Sequence, residues 1–184
     1  MRALALLVVL LAVGSRALCA QHAGQVEIGG FGSYTRYDSR FQLDNQFGAG
    51  GRLGFFLGDH FSLEVDANVA QPLSTTSGVG KSTAVFGSAS LVITNGSLYV
   101  LGGYSRLHLG PPTPFASELN ALHGGLGERI FFVDDRVALR LEARAYYRGP
   151  SAGQSGSGWI GHFTGTAGLS FILGPGGRKA GRAF

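Results

Sequence analysis

Apolar and polar residues alternate along most of the chain after its first twenty residues. In residues 47–57 the odd positions read Phe, Ala, Gly, Leu, Phe and Leu, and an arginine stands among the even ones. The same alternation covers residues 61–69 and 137–148, where apolar residues take turns with charged or polar ones. Because successive side chains of a strand point to opposite faces, a period of two with one apolar face predicts β-strands.

This pattern predicts eight strands, at residues 25–37, 46–57, 61–71, 82–94, 97–108, 118–133, 136–149 and 159–173. Short connections alternate along the chain with longer polar ones. The short ones are tight turns at 58–60, 95–96 and 134–135, and the long ones lie at 38–45, 72–81, 109–117 and 150–158. Strict alternation of short and long connections is typical of transmembrane barrels, which have short periplasmic turns and longer outer loops. The sequence therefore predicts an all-β fold, an eight-stranded antiparallel up-and-down transmembrane β-barrel.

Charges of both signs occupy the middle of the polar face, which favours this fold over a soluble barrel with an apolar interior. They are Arg52, Glu64, Asp66, Arg129, Arg140, Glu142 and Arg144. A narrow eight-stranded lumen must be filled by side chains, and opposite charges inside it must pair. The turn at 58–60 sets Arg52 opposite Asp66, with Glu64 diagonal. We expect a paired network that plugs the lumen.

Aromatic residues mark both ends of the apolar face, as membrane interfaces select. Those beside the short turns are Phe55, Phe61, Tyr99, Phe132 and Phe171, and those toward the long loops are Tyr34, Phe47, Tyr147, Trp159 and Phe163. The register at Tyr99 stays open, because a two-residue turn at 95–96 would point Leu98 and Val100 outward instead. Glu128 shares the outer face with Leu126, which is costly unless the carboxylate lies near the interface.

The amino-acid composition fits a membrane barrel and argues against other classes of protein. The chain has 31 glycines and 14% charged residues, with a positive mean hydropathy. This is too apolar for a disordered chain and too rich in glycine for long helices. Much of the net charge of +4 comes from the two ends, and no basic stripe remains, so no nucleic-acid partner is expected.

The N-terminus has the features of a secretory signal peptide: one arginine, an apolar run at residues 3–13 and small residues after it. The run is shorter than the about 20 residues that a spanning helix needs. Cleavage after Ala17 and after Ala20 are both open. We divide the chain into a signal peptide (1–20), an outer-membrane barrel (21–173) and a short basic tail (174–184), and we expect export to the bacterial outer membrane.

Three segments resemble the β-barrel domain of the outer-membrane-protein-A-like superfamily. They are 26–37 (Val-Glu-Ile-Gly-Gly-Phe-Gly-Ser-Tyr-Thr-Arg-Tyr), 45–57 (Asn-Gln-Phe-Gly-Ala-Gly-Gly-Arg-Leu-Gly-Phe-Phe-Leu) and 135–142 (Asp-Arg-Val-Ala-Leu-Arg-Leu-Glu). The last strand carries Thr166, Gly168, Phe171 and Leu173, in a spacing that resembles the signal by which barrel proteins engage their insertion machinery. The resemblance implies an eight-stranded outer-membrane barrel, with that machinery as a partner.

Candidate chemistry is sparse. The glycine runs at 48–51 and 124–127 are not followed by a helix, as a dinucleotide site requires, and the histidines lack metal-site spacing, so neither cofactor nor metal is expected. His162, Ser170 and Glu142 could share a side, and His108 is uncommitted, but no spacing marks a nucleophile and its base. We expect no enzyme, with a lipid-modifying enzyme and a small porin or transport barrel as alternatives.

The expected role is structural or a surface contact. Arg36 and Arg148, at the outer ends of their strands, are placed to meet lipopolysaccharide phosphates, or simply to extend to the interface. The long loops are rich in Ser, Thr, Gly and Pro, which suits surface contact better than a charged ligand. Outer-membrane lipid and lipopolysaccharide are the expected partners of a monomeric barrel.

Overall fold

The computed structural model describes residues 21–75, 80–110, 118–133, 135–148 and 160–174, in which eight antiparallel strands form a closed barrel. The strands are β1 (Val26–Arg36), β2 (Gln46–Phe56), β3 (Phe61–Ala70), β4 (Ala84–Asn95), β5 (Leu98–Leu109), β6 (Glu118–Phe132), β7 (Val137–Arg148) and β8 (Ile160–Leu173). A single 3-10 turn, Ser39–Phe41, follows β1. Each strand pairs with its neighbours in sequence, and β8 closes the barrel on β1. The predicted fold class is confirmed, and the strand limits agree within two residues.

The outer face of the barrel is apolar and the inner face is polar over much of its height. Residues of β3 alternate strictly between exposed and buried, with Leu63 and Val65 about half exposed while Glu64 and Asp66 are buried. Charged residues are almost never buried in soluble proteins unless paired, and large apolar residues are seldom exposed in continuous belts. This inversion is the arrangement of a membrane barrel. In the described part of the chain, no helix is long and apolar enough to span a membrane.

Aromatic side chains lie exposed toward both rims of the outer face. Phe55, Phe61, Phe132 and Phe171 stand toward the short turns, and Tyr34, Phe47, Tyr147 and Phe163 toward the long connections. Trp159 lies outside the described residues. The prediction for Tyr99 was wrong. Asn95 pairs with Leu98 across a two-residue turn in which Gly96 has a φ of 64°, so Leu98 faces outward and Tyr99 points into the lumen.

Glu128 lies on the outward side of β6, as its position in the alternation predicts. It pairs across strands with Leu98 and Leu141, yet it is buried, and Ser97 Oγ donates to its Oε1 at 3.2 Å. Ser97 belongs to the turn between β4 and β5. The carboxylate therefore lies at the level of the short turns, where a polar group in the outer wall is least costly.

Candidate functional site

The charged residues of the strands meet inside the barrel, on the half nearer the short turns. We call them the charge network: Glu27, Arg52, Glu64, Asp66, Arg129, Arg140, Glu142 and Arg144, all buried. Four carboxylates face four guanidinium groups, so the network is neutral when every member is ionised. Such neutrality, with direct hydrogen bonds, is what allows charges to remain buried.

Arg140 lies at the centre of the network. Its Nη1 donates to Glu27 Oε1 at 2.8 Å and to Glu64 Oε2 at 2.5 Å, and its Nη2 donates to Glu142 Oε2 at 3.0 Å. Its Nε donates to Tyr99 Oη at 2.8 Å. One arginine of β7 thus joins carboxylates from β1, β3 and its own strand across the lumen.

Arg144 and Arg52 bind the carboxylates of the network on the side away from the short turns. Arg144 donates to Asp66 Oδ2 and Glu142 Oε1, each at 2.6 Å, and to Glu64 Oε1 at 3.2 Å. Arg52 Nη1 donates to Glu142 Oε2 at 3.2 Å. Glu142 therefore accepts from three arginines, and loss of any one arginine leaves its charge only partly compensated.

Arg129 fills the end of the network nearest the short turns. Its Nη2 is 3.1 Å from Glu27 Oε2, and its Nη1 donates to Thr94 Oγ1 at 3.1 Å. Its guanidinium carbon lies 4.7 Å from the ring centroid of Tyr99 and 5.6 Å from that of Phe56. Aromatic faces attract a desolvated cation and compensate in part for its missing hydrogen bonds.

The structure brings together all seven charged residues that the sequence analysis named, but their hydrogen-bond partners differ from those expected. Arg52 and Asp66 are cross-strand neighbours, as predicted. Their side chains nevertheless bond elsewhere, Arg52 to Glu142 and Asp66 to Arg144. An arginine reaches across a narrow lumen, so distance along the sheet does not determine its partner.

The sequence analysis missed one member of the charge network, Glu27, and the contact that Tyr99 makes with the network. Glu27 stands on the inward side of β1 between Val26 and Ile28, and the alternation of that strand could have identified it. Tyr99 donates to Glu142 Oε2 at 2.7 Å, and only the register after the β4–β5 turn reveals that it faces inward.

Glycines on the inner face leave room for these side chains. A Cβ at Gly127 would lie 2.3 Å from Tyr99 Oη and 2.5 Å from Leu141 O. One at Gly168 would lie 2.2 Å from Gly30 O and 2.6 Å from Phe31 Cα. At these positions the glycines permit close packing inside a filled lumen.

The outer half of the lumen has the opposite character. We call its buried cluster the apolar cap: Tyr37, Phe41, Leu43, Ala84, Phe86, Leu107, Leu109, Leu119 and Tyr146. Most members come from β4 to β7, but three come from the connection between β1 and β2. Phe41, on the 3-10 turn, has its ring centroid 4.8 Å from that of His162. The connection thus folds inward over the strand wall.

Asp38 anchors this connection to β8. Its Oδ1 accepts from Arg40 N at 3.0 Å and its Oδ2 from Gly161 N at 3.1 Å, while its own N–H donates to His162 Nδ1 at 3.1 Å. Partial burial acts to raise the pKa of Asp38, but these N–H donors and the Arg40 guanidinium hold it below its usual value. Asp38 is therefore ionised at neutral pH and fastens the segment that carries Phe41.

A buried serine–histidine cluster, which the sequence did not reveal, lies between the two halves. His123 Nε2 is 2.8 Å from Ser90 Oγ, and its Nδ1 is 2.7 Å from Ser105 Oγ. Ser105 also donates to Ser88 Oγ at 2.8 Å. The partners come from adjacent strands and could be found only once their register was known.

The set His162, Ser170 and Glu142 does not assemble. All three face inward, but His162 and Ser170 are eight residues apart on β8, about 26 Å at the rise of a strand. Glu142 is engaged in the charge network. His108 is on the outer face, exposed, 3.9 Å from Glu118. The geometric basis for a lipid-modifying triad is therefore missing from these residues.

The two arginines expected at the outer rim face different ways. Arg36 is exposed on the outward side of β1. Arg148 is at the outer end of β7, on the same inward side as Arg144, and lines a small cavity with Phe41 and Phe86. Its contact with lipopolysaccharide stays a prediction.

The four residues predicted to form an insertion signal divide between the faces of β8. Phe171 and Leu173 are about half exposed on the outer face. Thr166 accepts from Arg52 Nη2 at 3.4 Å inside the lumen, and Gly168 lies beneath Phe31. The two apolar residues of this set thus lie on the outer face, and their role in insertion stays a prediction.

Solved structures share this architecture. The N-terminal β-barrel domain of Pseudomonas aeruginosa OprF is 18% identical, with a TM-score of 0.56, over 83% of this chain and 100% of that one. The outer membrane protein OprG of Pseudomonas aeruginosa is 14% identical, with a TM-score of 0.58, over 85% and 99%. Neisserial surface protein A is 15% identical, with a TM-score of 0.53, over 80% and 95%. At such identities the likeness establishes the fold.

The sequence itself carries the family assignment. No curated protein sequence matches the chain. Residues 3–96, just over half of the chain, match the family model of the OprF membrane domain. This agrees with the resemblance to outer-membrane-protein-A-like barrels, and the chain belongs to the family of the OprF membrane domain, a family of outer-membrane β-barrels.

Proposed function

We propose that the protein is exported by its signal peptide and acts in the outer membrane as a structural or surface-contact barrel whose lumen is closed by the charge network. The observation that carries the proposal is the set of hydrogen bonds that Arg140 and Arg144 make to all four carboxylates from within the barrel. Each carboxylate accepts from at least one of them. A lumen crossed by such bonds holds side chains where a porin holds water.

The packing between the network and the apolar cap supports closure. The cavity under Phe41 and Phe86 has a volume of about 20 Å³. That is room for about one water molecule. A transport pathway would need the arginines to leave their carboxylates, which exposes unpaired buried charge.

Outward contacts would then be made by the rim and the long loops. Arg36 is exposed at the outer end of β1, and Arg106 of β5 is exposed and paired with Glu118. We propose that these guanidinium groups meet lipopolysaccharide phosphates, for which arginine geometry is suited. Residues 166–173 would engage the insertion machinery, and the barrel would act as a monomer.

Planar-bilayer recording tests the closed lumen. Purified wild-type barrel, with its folding checked by heat-modifiable gel mobility, is expected to give no large, stable single-channel steps. Arg52→Ala, which removes one donor of the network, serves as a partly opened comparison. Large and stable conductance from the wild type would contradict the closure and favour the small-porin alternative.

The cellular role needs a separate test. A deletion strain is compared with one that carries the barrel with the four links 38–45, 72–81, 109–117 and 150–158 replaced by those of an unrelated small barrel. Envelope weakness after deletion, rescued by the loop-swapped protein, would establish a structural role. Loss of surface binding from the swap alone would assign the role to the loops. Absence of any phenotype in both strains would contradict the proposal, as would recovery of the protein from the soluble periplasm.

A further inference from the structure

We propose that the apolar cap is a binding pocket for a small aromatic carboxylate, in which the ring of Phe41 is seated as a displaceable plug. The inference goes beyond the proposed function and rests on it in one respect. Because the charge network closes the lumen below, the ligand would be held at the outer end and not passed through.

The wall of the pocket is unusual for the inside of an outer-membrane barrel, which is ordinarily polar. Phe86 of β4, Leu107 of β5, Leu119 of β6 and Tyr146 of β7 present adjoining apolar surface into the lumen, and all are buried. The ring centroids of Phe86 and Tyr146 are 5.3 Å apart. Convergent aromatic and aliphatic walls with a few polar groups are typical of small-molecule sites.

The present occupant is not part of the barrel wall. Phe41 ends the 3-10 turn Ser39–Phe41, is only 4% exposed, and packs in the same cluster as this wall and against His162. The next residue, Gln42, has a φ of 49°, a left-handed conformation that a non-glycine residue adopts with strain. Moving the turn would break the hydrogen bonds of Asp38 to Gly161 and His162 and that of Thr75 N to Gln42 O, but no pairing between the eight strands. We therefore treat its ring as a removable stand-in for an aromatic ligand.

Polar groups at the pocket match a carboxylate. Arg148 lines the same cavity as Phe41. The Tyr37 hydroxyl, in the same cluster, is buried and has no hydrogen-bond partner among the residues that the structure describes. Burial raises the pKa of Tyr37, so its hydroxyl stays a donor. A guanidinium and an unused phenolic donor beside aromatic walls suit a phenyl ring that carries a carboxylate.

Benzoate is the probe, titrated into the full-length protein in lipid nanodiscs and followed by methyl NMR of the cap leucines. We expect weak, saturable binding to the wild type. Phe41→Ala should bind at least about tenfold more tightly, because the internal competitor is gone. Benzamide, of the same shape but neutral, should bind more weakly than benzoate to Phe41→Ala. That preference should disappear when Arg148→Gln is added.

A filled pocket provides the control. Leu119→Trp should abolish binding in the Phe41→Ala background. Ala121 of β6 lines the same cavity, and Ala121→Leu replaces the tryptophan variant if that variant fails the gel-mobility test for folding. The outward Leu122→Trp should leave binding unchanged. Absence of saturable binding to folded Phe41→Ala would overturn the proposal, as would binding that survives the filled pocket. Equal affinities for benzoate and benzamide would overturn the carboxylate assignment.

Conductance recorded on the same preparations separates this inference from the closed lumen. A conducting wild type that still binds benzoate in the cap contradicts closure alone. A closed barrel that does not bind benzoate contradicts the pocket alone.

Discussion

The two halves of the lumen are filled by side chains that are held by different kinds of interaction. In the charge network, Glu142 accepts from three arginines and Arg140 donates to three carboxylates. These bonds are directional, and each removal leaves a partner charged and buried. The apolar cap is held by non-directional burial of rings and aliphatic groups, one of which comes from a loop. The apolar cap can therefore accept another apolar group in place of one of its side chains. The charge network cannot lose a member without a loss of folding stability.

Arg140→Met should have the largest effect on stability. It withdraws donors from Glu27, Glu64 and Glu142 together, and breaking a buried network in this way costs about 3–5 kcal/mol. Urea unfolding in lipid vesicles, followed by gel mobility, measures the change. Arg106→Met is the matched control. Its guanidinium is exposed near the outer end of β5, at the rim, where water weakens ion pairs, so its midpoint should stay near that of the wild type. Equal midpoints for the two variants would contradict the importance of the network.

Leu119→Ala should weaken the apolar cap by about 2–4 kcal/mol, since it removes buried methyl groups and leaves a cavity. The same urea titration applies. Leu122→Ala, on the lipid-facing side of the same strand, should cost clearly less, because it opens no cavity in the lumen. If Leu122→Ala proves the more damaging change, the cap does not contribute to stability as an interior core.

Gly127→Ala tests how tightly the network is packed. The added Cβ would lie 2.3 Å from Tyr99 Oη and 2.5 Å from Leu141 O, so both the β7 backbone and the tyrosine, which bonds to Glu142 and Arg140, must shift. We expect a loss of about 1–3 kcal/mol, as for other overpacked sites. Gly124→Ala, where the nearest atom would be 3.8 Å away, is the control on the same strand. A neutral result at Gly127 would mean that Tyr99 has space to spare.

Acidification should release the loop that carries Phe41, with the smallest effect on global stability. The pKa of Asp38 in the folded protein is below its unfolded value of about 4. Its stabilisation is therefore complete above that unfolded value and is lost as the pH falls through the folded value. Methyl NMR of Leu43 between neutral pH and about pH 3 should show the change in the wild type. Asp38→Asn should remove this titration, and an unchanged titration would assign it to another group.

Much of the barrel follows from local pattern. Alternation in residues 61–69 places Glu64 and Asp66 on one face and Val65 on the other, and turn sequences limit where strands end. These features depend on a strand period of two and on short-range sterics, so the sequence alone predicts them. The membrane setting also follows, because the apolar face is continuous and its rims are aromatic. The same alternation could have found Glu27.

The tertiary structure decided the register between strands and which side chains meet across the lumen. Whether Tyr99 faces lipid or lumen depends on one residue more or less in the β4–β5 turn, since a shift by one exchanges the two faces. The partners of Arg52 and Asp66 depend on side chains that cross the lumen, and His123 meets Ser90 and Ser105 only through pairing of three strands. The inward path of Phe41 is likewise invisible in a polar link of the sequence. Alternation along a strand determines which of its residues share a face, whereas closure of the barrel brings residues of distant strands within reach of one another.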